Sequence, residues 1–399
     1  MDVAAVTTPA SGADAPSAAE RVLVVNAGSS SLKLRVLDPA GQVSAGADLP
    51  APRGTAQHPE IEAAIESFGP VDAVGHRVVH GGTRYTAPVV IDDQVRQGLA
   101  SLTDLAPLHQ PKSLAALDAV AAVLPAVPAV ACFDTAFHAT IPAAATTFAL
   151  PQEWRTRWNL RRYGFHGLSH SYVSRRAAEL LGQEAGLRLV SCHLGAGASL
   201  AAVDGGRSVD TTMGFTPLDG LVMATRCGAV DPGVILWLEE HANMPPAELA
   251  AGLEYHSGLY GLAGTADMRA VLARAAAGDA RAELARETYL HRLRSSVAAM
   301  AAALGGLDGI VFTGGVGENS AEIRERTMNG LGFLGIYADS AANSDGTGDR
   351  EIGMPGATVR ALVISAREDI EIARQVRAAI SQARGGAGNV AAIRLRSTG

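Results

Sequence analysis

The sequence predicts an α/β protein made of two similar halves with a ligand cleft between them. Residues 22–38 and 187–206 each run from an apolar strand through a glycine-containing turn into a second apolar strand, about half the chain apart. Elsewhere, Ala-rich helical stretches such as 288–304 alternate with short apolar strands such as 128–133 and 359–365. Alternating helices and strands are typical of α/β architecture, and the repeated hairpin indicates a duplicated fold.

The bulk composition supports two folded domains and excludes some partners. The chain has 399 residues, of which 48% are hydrophobic and 18% charged, so each half is large enough for its own core. The formal net charge of -7 argues against a nucleic-acid partner or a membrane surface, because both need clustered Lys and Arg. Small anions remain candidate ligands, since a few buried arginines bind them whatever the global charge.

The cysteines and the N-terminal segment indicate the compartment. Cys132, Cys192 and Cys227 are widely spaced and form no CxxC pattern, so neither a disulfide scaffold nor a zinc site is predicted. Residues 1–19 contain no Lys or Arg and no unbroken apolar core, which predicts a disordered tail rather than a secretory signal. We therefore expect a cytoplasmic protein.

The segment 115–133 is apolar enough to suggest a membrane span. Asp118, Pro125 and Pro128 interrupt it, which predicts a buried helix, a turn and then a core strand. The sequence contains no second candidate segment, so we expect no membrane association.

The first predicted hairpin, residues 22–38, surrounds a polar loop with one glycine and three serines. A Walker-type phosphate loop would continue into a helix, but here Leu32, Leu34 and Val36 alternate with basic residues, which predicts a strand. Backbone N–H groups and hydroxyls in such a turn can bind an anion, although an ordinary polar hairpin turn explains the loop equally well.

Two further glycine-rich loops favour anion binding. The turn in 187–206 contains Gly195 and Gly197, and in 307–327 a predicted strand at 310–312 enters a Gly-Gly-x-Gly loop that leads into a helix. In a strand-loop-helix unit the free N–H groups and the helix dipole point the same way, which suits a phosphate. Three such loops in one chain predict a nucleotide site.

Five side chains that could do chemistry lie beside turns or predicted strand ends: Arg77, His109, Asp134, His166 and Arg226. Folds of the α/β class keep their active groups at strand ends, and both Arg77 and Asp134 are placed just after predicted strands. Taken singly, each residue has an ordinary explanation as a solvated or capping side chain. Their combination favours a shared site.

The motifs that contain these residues resemble the acetokinase family of short-chain carboxylate kinases, which includes the acetate kinases. The matching segments are VNAGSSSLKLRV, GHRVVHGG, LAPLH, FDTAFHATIP, YGFHGLSH, CHLGAGAS, MGFTPLDGLVMATRCG, FTGGVGENS and REDIEIAR. They keep the family's order from about residue 21 to residue 375, and the long MGFTPLDGLVMATRCG block is highly specific.

The resemblance implies a fold and a reaction. The implied fold is an actin-like, ribonuclease-H-like duplicated α/β fold of two domains, with an active site in the interdomain cleft, in a homodimer. The implied reaction is reversible, Mg²⁺-dependent in-line phosphoryl transfer between ATP and acetate, giving acetyl phosphate and ADP, with Mn²⁺ as the alternative ion. The implied divisions are a tail at 1–19, an N-terminal domain at 20–150 completed by about 370–385, a C-terminal nucleotide-binding domain at 151–369 and a tail at 386–399.

The resemblance also implies roles for individual positions. Asn26 and Glu368 match magnesium ligands, and Asp134, His166 and Arg226 match the residues around the transferring phosphoryl group. The implied acceptor-site residues are Arg77 on the carboxylate, His109 as a supporting hydrogen bonder, and the apolar Val79, Leu108, Phe165 and Pro217. The implied nucleotide-site residues are Lys33 near the phosphates and His193, Leu194, Gly195, Ala196, Gly197, Asp267, Met268, Arg269, Gly315, Val316, Gly317, Glu318 and Asn319.

The chemistry of the implied reaction limits the role of Asp134. Phosphoryl transfer spreads charge over the equatorial oxygens, so a catalyst mainly positions the reactants and supplies positive charge, as Arg226 and His166 would. A carboxylate acceptor is already ionised near pH 7, so a base has no proton to remove. We expect Asp134 to orient an arginine or a magnesium-bound water, with general-base catalysis as the alternative.

Some positions depart from the family pattern. Ala196 stands where the family usually has Asn, and Gln110 and Ser113 stand where it has an Asn pair. Ala366 and Arg367 replace a polar pair before the implied carboxylate ligand. The first difference predicts weaker or broader nucleotide use, and the last affects the local magnesium geometry.

Three other functions remain open on the sequence. A propionate or butyrate kinase would use the same residues, because one methylene changes binding by only about 1 to 3 kcal/mol. A sugar or polyol kinase would need a polar pocket around Asp134, whereas the implied pocket is apolar. A chaperone-like ATPase would need a further partner-binding domain, for which the two halves leave only short tails.

Overall fold

The computed structural model describes residues 19–28, 31–51, 58–107, 109–183 and 185–396, with side chains up to residue 384. The predicted tail at 1–19 lies outside the described residues except for Ala19, and Leu108 lies outside them too. Ala19 is buried in the core of the first half, so that core already includes the first described residue.

The first half of the chain forms a six-stranded sheet. Its strands are β1 (Val22–Ala27), β2 (Ser31–Leu37), β3 (Val43–Pro50), β4 (Ala73–Val78), β5 (Val89–Val90) and β6 (Ala129–Phe133), in the order β3-β2-β1-β4-β6-β5. The first three strands form an antiparallel meander, β4 and β6 continue in parallel with β1, and β5 is antiparallel to β6. In β2 the buried Leu32, Leu34 and Val36 alternate with more exposed basic residues, which confirms the predicted strand.

The second half repeats this sheet strand for strand. Its strands are β7 (Arg188–Leu194), β8 (Ala198–Asp204), β9 (Arg207–Thr211), β10 (Gly309–Thr313), β11 (Arg350–Glu351) and β12 (Arg360–Val363), in the order β11-β12-β10-β7-β8-β9. Strands β7 to β9 form the meander, β10 and β12 continue in parallel with β7, and β11 is antiparallel to β12. The identical connections in the two sheets confirm the duplicated fold.

Helices connect and cover the strands. Those of the first half are α1 (His58–Phe68), α2 (Asp93–Ala100), α3 (Gln110–Val123), α4 (Ala143–Thr146) and α5 (Gln152–Trp158), and α6 (Gly167–Leu181) precedes the second sheet. The second half contains α7 (Pro232–His241), α8 (Pro246–Tyr255), α9 (Gly258–Ala263), α10 (Met268–Ala276), α11 (Ala280–Ala303), α12 (Gly314–Asn319), α13 (Ala321–Asn329) and α14 (Ser340–Ser344), and α15 (Glu368–Arg396) follows β12. Short 3₁₀ turns span Thr103–Leu105, Ala136–Thr140 and Gly332–Leu334.

Two helices bring the halves together. Helix α15 packs on β1, β4 and β6 of the first sheet, where Ile372, Val376 and Ile380 are buried against Val22 and Val24. Helix α6 packs on β7 and β10 of the second sheet and also lies against α15. The first core therefore contains side chains from both ends of the described chain.

The apolar segment 115–133 folds as the sequence predicts, as the end of α3, a turn and β6. Among the helices that the structure describes, none combines the length and the apolar character needed to cross a membrane. Cys132 and Cys192 are buried and Cys227 is half-buried, and all three are free thiols, as expected.

Gly75 in β4 marks a very close approach between α15 and the first sheet. A Cβ atom there would lie 2.5 Å from Cγ2 of Ile372 and 2.6 Å from Cγ2 of Val376. We expect Gly75→Ala to lower the free energy of unfolding by about 1 to 3 kcal/mol, because the added methyl group overpacks this contact. Urea unfolding of the full chain measures the change.

The matched control is Gly252→Ala in α8. An added Cβ at Gly252 has no neighbouring atom within 4 Å, and Ala is the better helix former, so stability should hold or rise slightly. Equal unfolding free energies for the two variants would contradict the close packing of α15 on β4.

Candidate active site

Polar side chains converge where β1, β4 and β6 end and α15 begins. Asn26 lies near the end of β1, Arg77 near the end of β4, Asp134 directly after β6, and Glu368 at the first residue of α15. Arg77 thus lies inside its strand rather than after it, where the sequence pattern placed it. The carboxyl ends of parallel strands meet at one edge of a sheet, which is where open α/β folds bind ligands.

These four side chains form one hydrogen-bonded cluster. Arg77 donates from Nε to Oδ1 of Asp134 over 3.1 Å and from Nη2 to Oδ2 over 2.7 Å. Its Nη1 donates to Oδ1 of Asn26 over 3.1 Å, and Nδ2 of Asn26 donates to Oε2 of Glu368 over 3.1 Å. The cluster links three strands of the first sheet to the helix that follows the second sheet.

Arg77 and Asp134 form a buried ion pair. The side chain of Asp134 is 2% exposed and that of Arg77 is 18% exposed. Burial raises the pKa of Asp134, and the charge and hydrogen bonds of Arg77 oppose that rise. Burial also disfavours a charged Arg77, but Asp134 and Glu368 outweigh it and raise the pKa of Arg77 above its ordinary value. The two charge-assisted hydrogen bonds favour the ionised form of the pair.

Two side chains of the second half complete the site. His166 precedes α6 in a left-handed backbone conformation (φ 56°), and its ring stacks on that of His193 with centroids 4.3 Å apart. Burial lowers the pKa of His166 well below its usual value, and neighbouring histidines and arginines lower it further. Arg226 donates from Nη1 to the backbone oxygen of Pro217 over 2.8 Å, and its Nε lies 3.6 Å from Oε1 of Glu254. The site therefore presents a neutral imidazole beside a guanidinium.

The cluster opens into a cavity of about 180 Å³, here called the acceptor cavity. Its lining is Ala27, Gly28, Arg77, Val79, His109, Lys112, Asp134, Phe165, His166, Ala196, Gly197, Pro217 and Arg226. Burial, followed by the charges of Arg226, Arg77 and Lys112, lowers the pKa of His109 to about 4, so this ring is neutral at pH 7. Three cationic side chains against one carboxylate suit a small anion.

A second cavity of about 690 Å³, here called the nucleotide cavity, lies against the glycine-rich turns of the second half. The predicted residues that line it are Gly195, Ala196, Asp267, Met268, Arg269, Gly315, Val316 and Asn319. Ala196 lines both cavities, so the two adjoin at this residue. The volume of the nucleotide cavity is in the range of sites that bind ligands of nucleotide size, whereas the adjoining acceptor cavity has room only for a small ligand.

The start of helix α12 lies against the last residue of β7. Gly314 has φ 78°, and a Cβ atom there would lie 2.9 Å from the backbone oxygen of Leu194, so only glycine fits this position. Helix α12 starts at Gly314, directly after β10, so the Gly-Gly-x-Gly segment is helical and the predicted loop there is wrong, whereas the predicted strand and the helix that carries Glu322 and Arg324 are present as β10 and α13.

Some predicted residues line neither cavity. Lys33 is exposed on β2 and pairs with Asn26 across the first hairpin, so both side chains lie on one face of the sheet. Nδ1 of His193 lies 2.8 Å from Oγ of Ser169, which places the ring beneath His166. Leu194 and Gly317 are buried in the interior.

Glu318 has a structural contact instead of an open carboxylate. Its Oε1 accepts hydrogen bonds from the backbone N of Gly314 over 2.9 Å and of Ala366 over 3.0 Å. This carboxylate therefore joins the start of α12 to the segment before α15. Gln110 also has an internal contact, since it is buried and donates to the backbone oxygen of Leu99 over 3.1 Å.

The sequence reasoning missed several lining residues. In the acceptor cavity this is Lys112, and in the nucleotide cavity they are Ala224, Leu259, Ala266, Leu272, Tyr289 and Ser320. Ala27 and Gly28, from the hairpin loop predicted to bind an anion, also line the acceptor cavity. Lys112 had a usable signal, because it follows His109 by three residues at the start of α3, a spacing that shares a helix face. The small and apolar residues carried none, since such side chains occur throughout the core.

Asn26 and Glu368 provide oxygen atoms that could hold a hard cation. Within the described ranges, no group of three or more His, Cys, Asp and Glu side chains is arranged to hold a metal ion by itself. Mg²⁺ in kinase sites takes one or two carboxylates and completes its shell with water and substrate phosphates. One carboxylate and one amide oxygen therefore fit a magnesium ion that arrives with a nucleotide.

Comparison with known proteins gives the family. The model of the acetokinase family matches residues 55–374. The chain belongs to the acetokinase family. An acetate kinase of Nostoc punctiforme is 48% identical over 312 residues, which cover 78% of this chain and 77% of that protein. An acetate kinase of a Geobacillus strain is 46% identical over 314 residues, which cover 78% and 79%.

Solved structures of the acetokinase family share the whole fold. The crystal structure of Porphyromonas gingivalis acetate kinase aligns with a TM-score of 0.84 and 36% identity, over 91% of this chain and 100% of that one. A propionate kinase from Francisella tularensis aligns with a TM-score of 0.83 and 34% identity, over 90% and 99%. The duplicated actin-like α/β fold implied by the motifs is thereby confirmed.

Gly197 allows Arg226 and His166 to approach each other in this acetokinase. A Cβ atom at Gly197 would lie 3.0 Å from Nη2 of Arg226 and 3.3 Å from Nε2 of His166. We expect Gly197→Ala to displace both groups and to lower kcat roughly 100-fold, since loss of one oriented donor commonly costs 100 to 1000-fold. Steady-state phosphoryl transfer to a carboxylic acid measures it. The melting temperature is the control, and an unchanged kcat in a folded variant would contradict the prediction.

Proposed function

We propose that this protein is an acetate kinase, which transfers the γ-phosphoryl group of ATP to acetate and also runs in reverse. In the forward direction an acetate oxygen attacks the γ-phosphorus, and the bond from that phosphorus to the ADP oxygen breaks. Acetyl phosphate and ADP are released. The observation that carries the proposal is the buried, oriented guanidinium of Arg77 in a small cavity that adjoins one of nucleotide size.

Arg77 keeps donors free for an acceptor carboxylate. A guanidinium carries five N–H groups, and three of those on Arg77 are used by Asp134 and Asn26. One N–H remains on each of Nη1 and Nη2, and these two donors are available to a second carboxylate. Because Asp134 and Asn26 already hold the guanidinium, little orientation entropy is lost when acetate binds.

Asp134 acts on the acceptor through Arg77. Both of its carboxylate oxygens accept hydrogen bonds from this arginine, and its side chain is 2% exposed. Hydrogen bonds from a guanidinium to both oxygens lower the proton affinity of this carboxylate, whereas a general base for a hydroxyl acceptor must take up a proton. This geometry favours a carboxylate acceptor over a sugar and makes Asp134 a positioning residue.

His166 and Arg226 stabilise the transferring group. The equatorial oxygens of the phosphoryl group carry the charge in the transition state, so fixed donors in a partly buried cavity lower its energy. Arg226 supplies positive charge, and the neutral ring of His166 supplies a directional N–H. Lys112 and Arg77 add positive charge that offsets the repulsion between acetate and the triphosphate.

ATP occupies the nucleotide cavity with its phosphates directed at the acceptor cavity. The turn of Gly195 to Gly197 and the start of α12 bring backbone groups without side chains to this boundary. Ala196 lies at the boundary itself, where the family usually has Asn. The smaller side chain leaves more room there, which favours broader nucleotide use.

Mg²⁺, or Mn²⁺ in its place, would be held by Asn26 and Glu368 together with the phosphates of ATP. The bound ion would neutralise phosphate charge during transfer. Asn26 also has a structural role, because its side-chain oxygen accepts a hydrogen bond from Arg77 and its side-chain nitrogen donates one to Glu368. The amide thereby keeps a guanidinium and a carboxylate in fixed positions on either side of it.

A second candidate function is phosphorylation of propionate by the same residues. The observation that favours it is the propionate kinase from Francisella tularensis, which aligns with a TM-score of 0.83. Val79, Phe165 and Pro217 form the apolar wall of the acceptor cavity, and one more methylene changes binding by only about 1 to 3 kcal/mol. The cavity of about 180 Å³ favours the smaller acid.

Helix α7 provides the surface for the proposed homodimer. The helix has the apolar sequence PGVILWLEEH, and none of its residues is buried. Val234 is 47% exposed, and Leu236 and Trp237 are each 56% exposed. Contiguous exposed apolar side chains on one helix mark a protein-protein interface.

The first test traps the acyl phosphate product with hydroxylamine in the presence of ATP and Mg²⁺. Among formate, acetate, propionate and butyrate, we expect acetate to have the highest kcat/KM for acyl phosphate formation, because the acceptor cavity is small. A maximum at propionate would select the second candidate. ATP turnover that needs no acid would contradict both and favour a chaperone-like ATPase.

Arg77→Lys keeps the positive charge but loses the planar pair of N–H donors of the guanidinium, so it should raise the acetate KM about tenfold or more.

The second test concerns the dimer. We expect Trp237→Glu to halve the mass measured by light scattering, because a carboxylate cannot be buried in an apolar interface without a partner. Trp158→Glu is the matched control, since Trp158 is exposed to a similar extent, at 50%, but lies in α5. A dimer that survives Trp237→Glu would place the interface elsewhere.

A further inference from the structure

A chain of buried hydrogen bonds runs from strand β7 to His166. Oγ of Ser191 lies 2.8 Å from Nδ1 of His170, Nε2 of His170 lies 2.8 Å from Oγ of Ser199, and Oγ of Ser199 lies 2.9 Å from Nδ1 of His166. Ser191, His170 and Ser199 are all 0% exposed. The proposed reaction uses only the last member of this chain, His166.

The hydroxyl of Ser191 sets the direction of the chain. Within the described part of the protein, the partner of this hydroxyl is Nδ1 of His170, and no other partner occurs. A buried hydroxyl that donates to nothing carries the full cost of its lost hydration, so Ser191 donates to Nδ1 of His170. Nδ1 of His170 is therefore an acceptor.

The remaining protons follow in order. Burial, together with His138 and His193, lowers the pKa of His170 well below its usual value, so the ring is neutral and carries one N–H. With Nδ1 as an acceptor, that proton lies on Nε2 and is donated to Oγ of Ser199. The hydroxyl of Ser199 then donates to its other partner, Nδ1 of His166.

His166 is left with its proton on the nitrogen that faces the substrates. Its ring is also neutral, so acceptance at Nδ1 places the N–H on Nε2. Nε2 lies at the wall of the acceptor cavity, since a Cβ atom on the cavity residue Gly197 would be 3.3 Å from it. The opposite tautomer would present a lone pair to the negative oxygens of the phosphoryl group.

We propose that His170 and Ser199 are positioning residues that hold His166 as its Nε2–H tautomer, with that N–H directed at the transferring phosphoryl group. The catalytic part of this inference rests on the proposed function, whereas the tautomer of His166 follows from the hydrogen bonds alone. The hydrogen-bonded chain orients the N–H of His166 without adding a charge to the site, because every member of the chain is neutral.

A neighbouring pair holds the backbone of His166 in the same manner. Nε2 of His138 lies 3.0 Å from the backbone oxygen of Phe165, which can only accept, so His138 donates from Nε2. Its Nδ1 then accepts from Oγ of Ser208 over 2.8 Å. This bond fixes the residue before His166. His166 itself has a left-handed conformation, which is uncommon for a residue other than glycine.

The direct test is nuclear magnetic resonance of the full-length protein labelled with ¹⁵N in its histidines. Long-range ¹H–¹⁵N correlations distinguish the two neutral tautomers, and loss of signals in His166→Gln and His170→Gln assigns the rings. We expect both rings as Nε2–H tautomers in the unsubstituted protein. An Nδ1–H tautomer for His166 would overturn the inference. In Ser199→Ala we expect the His166 signals to broaden or to show both tautomers.

Kinetics test the catalytic part. Ser199→Ala should lower kcat roughly tenfold, the value of one hydrogen bond, while the KM values of ATP and acetate stay unchanged because Ser199 contacts neither. Ser174→Ala is the matched control, since Ser174 is also buried and its hydroxyl donates to the backbone of Ser171 instead. Its kcat should equal that of the unsubstituted protein.

Two substitutions of His170 separate positioning from mere packing. The amide of Gln reaches the position of Nε2 and can still donate to Ser199, whereas the shorter amide of Asn cannot. We expect His170→Gln to retain most of the kcat and His170→Asn to lose it roughly as Ser199→Ala does. Equal loss in both folded variants would overturn the positioning role. If the unsubstituted protein shows no acid-dependent turnover, the proposed function fails while the tautomer measurement still decides the state of His166.

Discussion

The buried ion pair between Arg77 and Asp134 is the contact on which the rest of the cleft depends. Both residues come from the carboxyl ends of neighbouring parallel strands, so the packing of the sheet holds them in register. A charge so deeply buried is tolerated only with a partner, and removing one partner of such a pair costs roughly 3 to 5 kcal/mol. The contacts from Arg77 to Asn26, and from Asn26 to Glu368, extend this fixed geometry to β1 and α15.

A second buried carboxylate joins α6 and α15, the two helices that bring the halves together. Glu371 in α15 is 0% exposed and accepts hydrogen bonds from Ser171 over 3.0 Å and from Arg175 over 2.8 Å, both in α6. His166 precedes α6 and Glu368 begins α15. The hydrogen bonds of Glu371 between α6 and α15 therefore also help to position one site residue on each side of the cleft. The packing of these two helices therefore sets the separation of the two halves at the site. The positive charge of the site comes from arginines and a lysine, because burial keeps the histidines neutral.

The sequence by itself determined the architecture and the chemical inventory of this protein. The alternation in β2 and the glycine turns after β1 and β7 are local patterns, and local patterns report which face of an element is buried. The repeated hairpin therefore predicted the duplication before any contact was known. The strand-end positions of Arg77 and Asp134 favoured a shared site, and the resemblance of the motifs to the acetokinase family, above all of the long motif around Arg226, implied phosphoryl transfer.

Only the tertiary structure decided which of these groups meet and what each one is free to do. Both carboxylate oxygens of Asp134 accept hydrogen bonds from Arg77, and the carboxylate of Glu318 accepts hydrogen bonds from two backbone N–H groups. Lys112, which was not predicted as a site residue, lines the acceptor cavity. The proton on His166 is directed through Ser199, which is 33 positions away in the chain. No periodicity encodes such pairings, because they arise where separate elements pack together, and the burial that makes each hydrogen bond obligatory exists only in the folded chain.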